Sequence, residues 1–387
     1  MDPTFQVVVS VGGRFHAFEL ARQLHRRGCL KRLITSYPRG IAVRAGVPRD
    51  KIVSAPAKEI VFRGWRRLPG PLRERFRPHF LVSDLFDRSA RKALEECDIV
   101  TGWSGFSKRT FEKARRQGTV TVLERGSSHI LTQAELLERE YRARGLRPIG
   151  PHPRIIEKEL EEYARADYIA IPSTFVEASF REHGVPPSKL IRIPYGTDLE
   201  RFRPGDGPAD GIFRVVFAGR ICLRKGVYYL LKAFTDLDLD GSELLLAGDV
   251  DREAAPLLRR YRRRVTWLGK LSPEELARLY RRATVFVMPS IEEGMAMVQV
   301  QALASGLPLL CTPNSGGGDL IADGREGLVF PAGDADALGE SLLSLYRDRD
   351  KVRAMSAAAA AAARRFGWDE YGKHVHGAYR RILEERR

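Results

Sequence analysis

Short apolar runs alternate with amphipathic stretches along this 387-residue chain, and the alternation constrains its fold more than any other feature. The first run, residues 5–11 (FQVVVSV), predicts a buried strand. Gly12-Gly13 follows it, and then helical periodicity continues to Gly28. Further strands are predicted at residues 33–35, 98–101, 119–123 and 168–171, with helices near 86–96, 107–117, 132–143 and 155–166. This βαβα order predicts a parallel sheet covered by helices on both faces.

The pattern restarts after Pro194, beyond a Gly-, Pro- and Asp-rich stretch at residues 195–212 that predicts a linker. The second set of predicted strands covers residues 213–218, 243–247, 264–267, 284–288 and 307–311, with helices at 227–234, 274–281 and from 299. We therefore expect an α/β protein with two Rossmann-like domains facing each other across a cleft. Ligands of open parallel sheets bind at the carboxyl ends of the strands, so the cleft is the expected site.

Composition excludes several other classes of protein. The chain contains no apolar run long enough to cross a membrane, and Met1-Asp2-Pro3 lacks the basic start of a secretory signal. Its four cysteines are widely spaced, which favours reduced thiols over a metal site or a disulfide framework. These features predict a cytoplasmic protein.

The net charge of +16 is concentrated in one half of the chain. Residues 1–204 carry a net charge of +14, and the remainder carries +2. Such an excess suits nucleic acid, an anionic membrane or a charged substrate, although arginine on a solvated surface accounts for most of it. The sequence lacks a zinc finger, an RNP-type aromatic motif and a helix-turn-helix signature, so we expect no nucleic-acid partner.

One basic window, residues 62–80 (FRGWRRLPGPLRERFRPHF), interleaves six arginines with large apolar side chains. Two interpretations remain open. The window is a surface for an anionic membrane, or it is an ordinary basic loop and helix packed over the core.

In the second half, a predicted strand ends at Gly219-Arg220, and Arg224 and Lys225 follow closely. Cations fixed just beyond a strand end suit a diphosphate leaving group, although three basic residues on a loop are more often solvated surface. A second segment, residues 289–301 (PSIEEGMAMVQVQ), places Glu293 before a helix and Gln301 about two turns later. The helix N-terminus offers N–H groups to an anion.

These stretches resemble the family 4 retaining glycosyltransferases. PSIEEGMAMVQVQALASGLPLL is similar to their donor-site signature, and FAGRICLRKGVYYLLKAF to their phosphate-binding segment. WLGKLSPEELARLYRRATVFVMPS, IPSTFVEASFREHGVPPSKLIRIPYGTDLERFRP and FGWDEYGKHVHGAYRRIL are similar to their base-binding, interdomain and tail segments. The similarity runs from about residue 165 to the end and is thinner before it, where it rests on VSVGGRFHAFELARQL and VLERGSSHI.

The resemblance implies the GT-B architecture, a nucleotide-sugar donor and retention at the anomeric carbon. It implies that Arg220 and Lys225 neutralise the diphosphate, with Arg224 as a third candidate cation. Glu293 would hold hydroxyls of the donor sugar. The chain departs from the family at Gln301, where the ribose-binding residue is usually Glu, and at Gly294-Met295-Ala296 in place of Gly-aromatic-Gly.

In the first half, the resemblance implies that Gly12 and Gly13 approach the diphosphate and that His129 contacts the sugar or stabilises charge near the reacting centre. His16, His152, His183, His374 and His376 are expected to be structural. Gly316-Gly317-Gly318-Asp319 either approaches the sugar or forms a tight turn.

The expected protein is a metal-independent hexosyltransferase that uses a UDP- or GDP-sugar. Its acceptor is a glycan or lipid-linked molecule of cell-envelope polysaccharide, lipopolysaccharide or glycolipid synthesis, reached at the inner face of a membrane. The expected division is an acceptor domain over residues 1–195, a donor domain over 196–365 and a returning helix over 366–387. The alternatives are an epimerase or phosphorylase on the same fold, a degenerate non-catalytic relative and, ranked lowest, a basic nucleic-acid-binding protein.

Overall fold

Two parallel sheets form the frame of the protein in a computed structural model that describes residues 5–69, 72, 78–205, 207 and 210–386. Within that part of the chain, the strands of the first sheet lie in the order β3-β2-β1-β4-β5-β6-β7. They are β1 Val7–Val11, β2 Leu30–Thr35, β3 Ile52–Ser54, β4 Ile99–Trp103, β5 Val120–Glu124, β6 Tyr168–Ile171 and β7 Leu190–Arg192. All residues of β1, β4 and β5 are buried, as expected of a parallel sheet covered on both faces.

The second sheet repeats the arrangement, with parallel strands in the order β10-β9-β8-β11-β12-β13. They are β8 Phe213–Ala218, β9 Ser242–Ala247, β10 Val265–Gly269, β11 Val285–Met288, β12 Leu309–Cys311 and β13 Gly327–Val329. We refer to the two sheets with their helices as the first and second domains.

Helices connect the strands in both domains. In the first domain they are α1 Ala17–Arg26, α2 Arg39–Arg44, α3 Ala57–Arg66, α4 His79–Ala93, α5 Lys108–Arg116, α6 Ile130–Ala143, α7 Pro153–Arg165 and α8 Thr174–Glu182. Those that follow are α9 Val227–Leu237, α10 Ala255–Tyr261, α11 Pro273–Tyr280, α12 Met297–Ala304, α13 Ala335–Arg347, α14 Arg349–Ala363 and α15 Trp368–Glu384.

The last helix, α15, returns to the first domain and packs against α1. Arg27 donates hydrogen bonds to the carbonyl and the carboxylate of Asp369, and the hydroxyls of Tyr379 and Thr101 lie 2.8 Å apart. The chain therefore crosses between the domains twice. The two crossings meet where the N–H of Thr197 donates to the carbonyl of Phe366 at 2.8 Å.

The long strands agree with the sequence-based prediction, but some details differ. The helix expected near 86–96 begins at His79. The strands β3, β7 and β13 were not predicted, because each lacks the continuous buried run that the equally short β12 has. In the basic window, α3 covers the first part and α4 begins at His79, while residues 70, 71 and 73–77 lie outside the described residues.

Candidate active site

A cavity of about 500 Å³ lies between the carboxyl ends of the two sheets, where the sequence predicts a cleft. It is lined from the first domain by Phe15, His16, Trp103, Ser104, Arg125, Gly126, Ser127, Glu159 and Tyr195. From the second domain it is lined by Ala218, Gly219, Arg220, Arg224, Lys225, Glu293, Met295, Ala296, Met297 and Val298. We call this space the cleft cavity. Its volume is in the range of sites for small molecules.

The turn after β8 brings the three predicted cations, Arg220, Arg224 and Lys225, to one wall of the cleft cavity. Gly226 ends this turn with a positive φ of 67°, and a Cβ there would lie 1.8 Å from the carbonyl oxygen of Pro289. Only glycine fits so close an approach. The turn is thus held against the segment that follows β11.

Glu293 meets these cations from that segment. The Lys225 ammonium donates a hydrogen bond to Oε2 of Glu293, and Nη2 of Arg224 lies 3.8 Å from Oε1. Burial, together with the neighbouring Arg224, lowers the pKa of Lys225 to about 7. A bound diphosphate would favour the charged form of this lysine.

Residues 294–296 lead into α12, and their contacts differ from one residue to the next. Met295 and Ala296 line the cleft cavity, whereas Gly294 packs against the first domain. A Cβ on Gly294 would lie 2.1 Å from the carbonyl oxygen of Gly126, and the carbonyl of Gly294 accepts a hydrogen bond from Ser173 at 2.7 Å. Position 294 therefore requires glycine, because a Cβ would prevent this contact between the domains.

Gln301 lies one helical turn beyond Met297, which lines the cleft cavity. Its Oε1 is buried and has no hydrogen-bond partner among the described residues. An acceptor atom left in this state is costly unless a donor reaches it. Gln301 is not among the residues that line the cleft cavity, and its contact with ribose hydroxyls stays a prediction.

The loop after β1 reaches the cleft cavity through different residues from those predicted. Gly12 packs against the ring of Phe106, and Gly13 packs against Phe15. The lining side chains are Phe15, which has a positive φ of 38° and is 60% exposed, and the buried His16. Nε2 of His16 lies 3.3 Å from Oε2 of Glu124. No local sequence pattern separates His16 from the other histidines that were expected to be structural.

His129, for which the resemblance implies a contact with the sugar, lies in a packed cluster of rings in the first domain. Its ring stacks on His183 with centroids 4.2 Å apart and contacts Phe180, and its Nδ1 accepts from the N–H of Leu131 at the start of α6. It does not line the cleft cavity. Burial, with the nearby His183, lowers its pKa to about 3, so it remains neutral at physiological pH. A neutral, stacked capping residue indicates a structural role.

Glu292, which the sequence analysis did not select, joins the two domains. Its fully buried carboxylate accepts from the N–H and Oγ of Ser128, from Gln133 at 2.9 Å and from Nε of Arg224 at 2.7 Å. Burial opposes its ionisation, but Arg224 and these hydrogen bonds outweigh that effect and lower its pKa. The sequence feature that could have drawn attention to Glu292 is the pair of adjacent glutamates in PSIEEG.

The turn at residues 316–319 also makes a domain contact. The Asp319 carboxylate accepts hydrogen bonds from the N–H and hydroxyl of Thr174 and from Arg192 at 3.0 Å. Gly316 has a positive φ of 72° and packs against Gly294. These contacts favour the tight-turn interpretation.

Among the described residues, no helix has the length and apolar character needed to cross a bilayer. In the same part of the chain, no group of three His, Cys, Asp or Glu side chains lies together to hold a metal ion. The four cysteines are free thiols.

Sequence comparison identifies the class of protein that this fold and site define. Residues 12–201 match the profile described as Glycosyltransferase Family 4, and residues 212–348 match that described as Glycosyl transferases group 1. The protein belongs to the family 4 glycosyltransferases and has their GT-B architecture.

Curated relatives include D-inositol 3-phosphate glycosyltransferases. That of Nocardia farcinica is 30% identical over 264 residues, which cover 61% of this chain and 58% of that protein. That of Pseudarthrobacter chlorophenolicus is 31% identical over 244 residues, covering 57% of each. The chain therefore spans less than two thirds of the length of these relatives.

Solved structures share the fold over nearly the whole chain. Sucrose-phosphate synthase from Thermosynechococcus elongatus superposes with a TM-score of 0.75 at 20% identity, covering 98% of this chain and 100% of that one. Anabaena HepE in complex with UDP-glucose gives 0.68 at 14% identity, covering 96% and 98%. Identities this low establish the fold alone.

Proposed function

We propose that the protein transfers a hexosyl group, with retention, from a UDP- or GDP-sugar to an acceptor hydroxyl. The observation that carries this proposal is the convergence of Arg220, Arg224 and Lys225 with Glu293 in the cleft cavity. Cations suit a departing diphosphate, and a carboxylate suits sugar hydroxyls. The unpartnered Oε1 of Gln301 supports a ribose contact beside them.

In the proposed reaction, the bond from the anomeric carbon to the diphosphate breaks while the acceptor oxygen bonds to the same face of that carbon. The hydroxyl proton of the acceptor passes to the leaving phosphate. Arg220 and Lys225 oppose the charge that grows on the diphosphate. One preorganised group of this kind is typically worth about 2.7–4 kcal/mol of transition-state stabilisation.

The acceptor is proposed to be an anionic glycan or lipid-linked molecule of envelope polysaccharide or glycolipid synthesis, bound on the first domain. Two observations support it. The excess positive charge lies in the first half of the sequence, and several curated relatives are named for an inositol phosphate. HepE, whose structure contains UDP-glucose, supports the choice of donor.

Thermal unfolding with UDP, GDP and ADP, followed by a hydrolysis screen of the matching sugars, tests the donor. One nucleotide should raise the unfolding midpoint, because a ligand that binds only the native state stabilises it. Isomerisation of the sugar nucleotide without transfer would instead indicate an epimerase. We propose that no metal is needed, and loss of activity with EDTA that Mg²⁺ restores would contradict this.

Co-sedimentation with vesicles tests the membrane part of the proposal. Binding should increase with the fraction of anionic lipid and decrease with salt. Binding that ignores both variables would argue against a charged membrane surface.

A further inference from the structure

A second cavity, of about 720 Å³, lies beside the cleft cavity and is lined by the first domain together with Arg252 of the second. Its wall is largely apolar and is formed by Trp65 of α3, Phe80 of α4, Phe106 and Ile155, with Ile149 and Gly150 at its edge. We call it the apolar cavity. Its lining contains none of the proposed donor-site residues Arg220, Arg224, Lys225 and Glu293.

The two cavities share a wall, because Ser104 and Glu159 line both. The buried Glu159 carboxylate is held through Oε2, which accepts from Arg125 at 2.7 Å and from the hydroxyl of Tyr163 at 2.7 Å. The shared wall is thus polar and fixed, and the space beyond it is apolar. A ligand in both cavities would need a polar end at Glu159 and an apolar remainder.

The surroundings of the apolar cavity are both apolar and basic. Exposed apolar side chains lie on the elements that form it, with Ile60 67% exposed on α3 and Ile149 48% exposed on the loop before α7. Near them are the exposed Arg63 and Arg66 of α3, and the guanidinium of Arg154 lies 4.4 Å from the centroid of the Phe80 ring. Apolar residues interleaved with cations match a bilayer surface that carries anionic headgroups.

From this geometry we propose that the apolar cavity binds the hydrocarbon chain of an amphiphilic, anionic acceptor, which presents its hydroxyl past Ser104 and Glu159 to the cleft cavity. The inference rests on the proposed function, since it names the class of acceptor for that site. The proposed occupant is an aliphatic lipid because exposed apolar and basic side chains lie on the elements that form the cavity.

Binding of butyl, hexyl, octyl and decyl phosphate to the full chain, measured by calorimetry, tests the proposal. Affinity should increase with chain length, by about fourfold for each methylene that becomes fully buried. The test variant is Gly150→Trp. A Cβ at Gly150 meets no atom within 4 Å, and Gly150 lines the apolar cavity, so an indole there should narrow it. Gly40→Trp adds the same indole to open space on α2, away from both cavities, and is the matched control.

The expected result is a steep chain-length dependence in the wild type and in Gly40→Trp, and a flat one in Gly150→Trp. A flat dependence in the wild type, or equal slopes in the two variants, would overturn the inference. UDP and GDP binding are measured on the same samples. If either nucleotide binds and the alkyl phosphates show no chain-length effect, the inference fails alone. If neither nucleotide binds, the proposed function fails.

Discussion

The ammonium of Lys225 donates a hydrogen bond to Oε2 of Glu293, so the residue predicted to bind the diphosphate is paired with the residue predicted to bind the sugar. Both side chains are largely buried, with 15% and 14% of their surfaces exposed. A nucleotide sugar that occupied the cleft would have to replace this pair, with its diphosphate at Lys225 and its hydroxyls at Glu293.

Lys225→Ala should lower kcat by about a hundredfold or more, because it removes one preorganised cation from the developing diphosphate charge. The measurement is turnover at saturating donor. Lys232→Ala is the matched control, since this lysine lies outside the cleft cavity and pairs with Asp236 on the surface of α9. Equal turnover in the two variants would remove the role assigned to Lys225.

UDP affinity should decrease as the pH rises above about 7. Burial and Arg224 lower the pKa of Lys225 to about 7 in the free protein, whereas a bound diphosphate favours the charged form. Binding above that pH therefore takes up a proton, and affinity decreases by up to about tenfold per pH unit. Calorimetry in buffers of different ionisation enthalpy measures the uptake. Lys225→Met should abolish it, and an unchanged uptake in that variant would point to another group.

Glu292→Ala should destabilise the protein by about 3–5 kcal/mol, because it leaves Arg224 and the groups of Ser128 without their buried partner. Urea unfolding followed by circular dichroism measures the change. Glu274→Ala, which removes a 59% exposed carboxylate paired with Arg201, should change stability by less than about 1 kcal/mol. If both variants lose a similar free energy of unfolding, the contacts that Glu292 makes between the domains contribute little to stability.

Acidic pH should weaken the same interactions of the Glu292 carboxylate with Arg224 and Ser128. The pKa of Glu292 is lowered in the folded protein, so its ionisation stabilises the fold above the ordinary glutamate pKa of 4.5. That contribution is lost as the pH falls through the lower, folded value. The wild type should lose more stability than Glu292→Gln on acidification from pH 5, and parallel losses would contradict the assignment.

Gln301→Glu should tighten UDP binding by roughly fivefold, because hydrogen bonds to a charged acceptor are stronger by about 1 kcal/mol. The gain should vanish with a UDP analogue that lacks the ribose 2′- and 3′-hydroxyls. If the analogue gains equally, Gln301 does not face the ribose.

The sequence predicted the two sheets because the buried strands, such as Val7–Val11 and Phe213–Ala218, are continuous apolar runs bounded by glycine or polar residues. The resemblance implied that Arg220, Lys225 and Glu293 share the donor site, and all three line the cleft cavity. The position of each strand can be read from the few residues that form and flank it. The boundaries at 195/196 and 365/366 remain predictions.

Contacts between the domains could not be predicted in the same way. Glu292 and Glu293 are adjacent, yet one faces the first domain and the other faces Lys225. His16 and His129 both follow strands, and only His16 lines the cleft cavity. Such differences depend on which side chains the opposite domain brings near, and the local pattern does not contain that information.

The meeting of the two chain crossings at Thr197 and Phe366 constrains how the cleft can open. Two covalent connections joined at one point form a single pivot, so sliding of one domain past the other would break the bond between them. Opening then becomes rotation about that point. A spectroscopic distance across the cleft mouth would report the opening, whereas labels beside the pivot would hardly move.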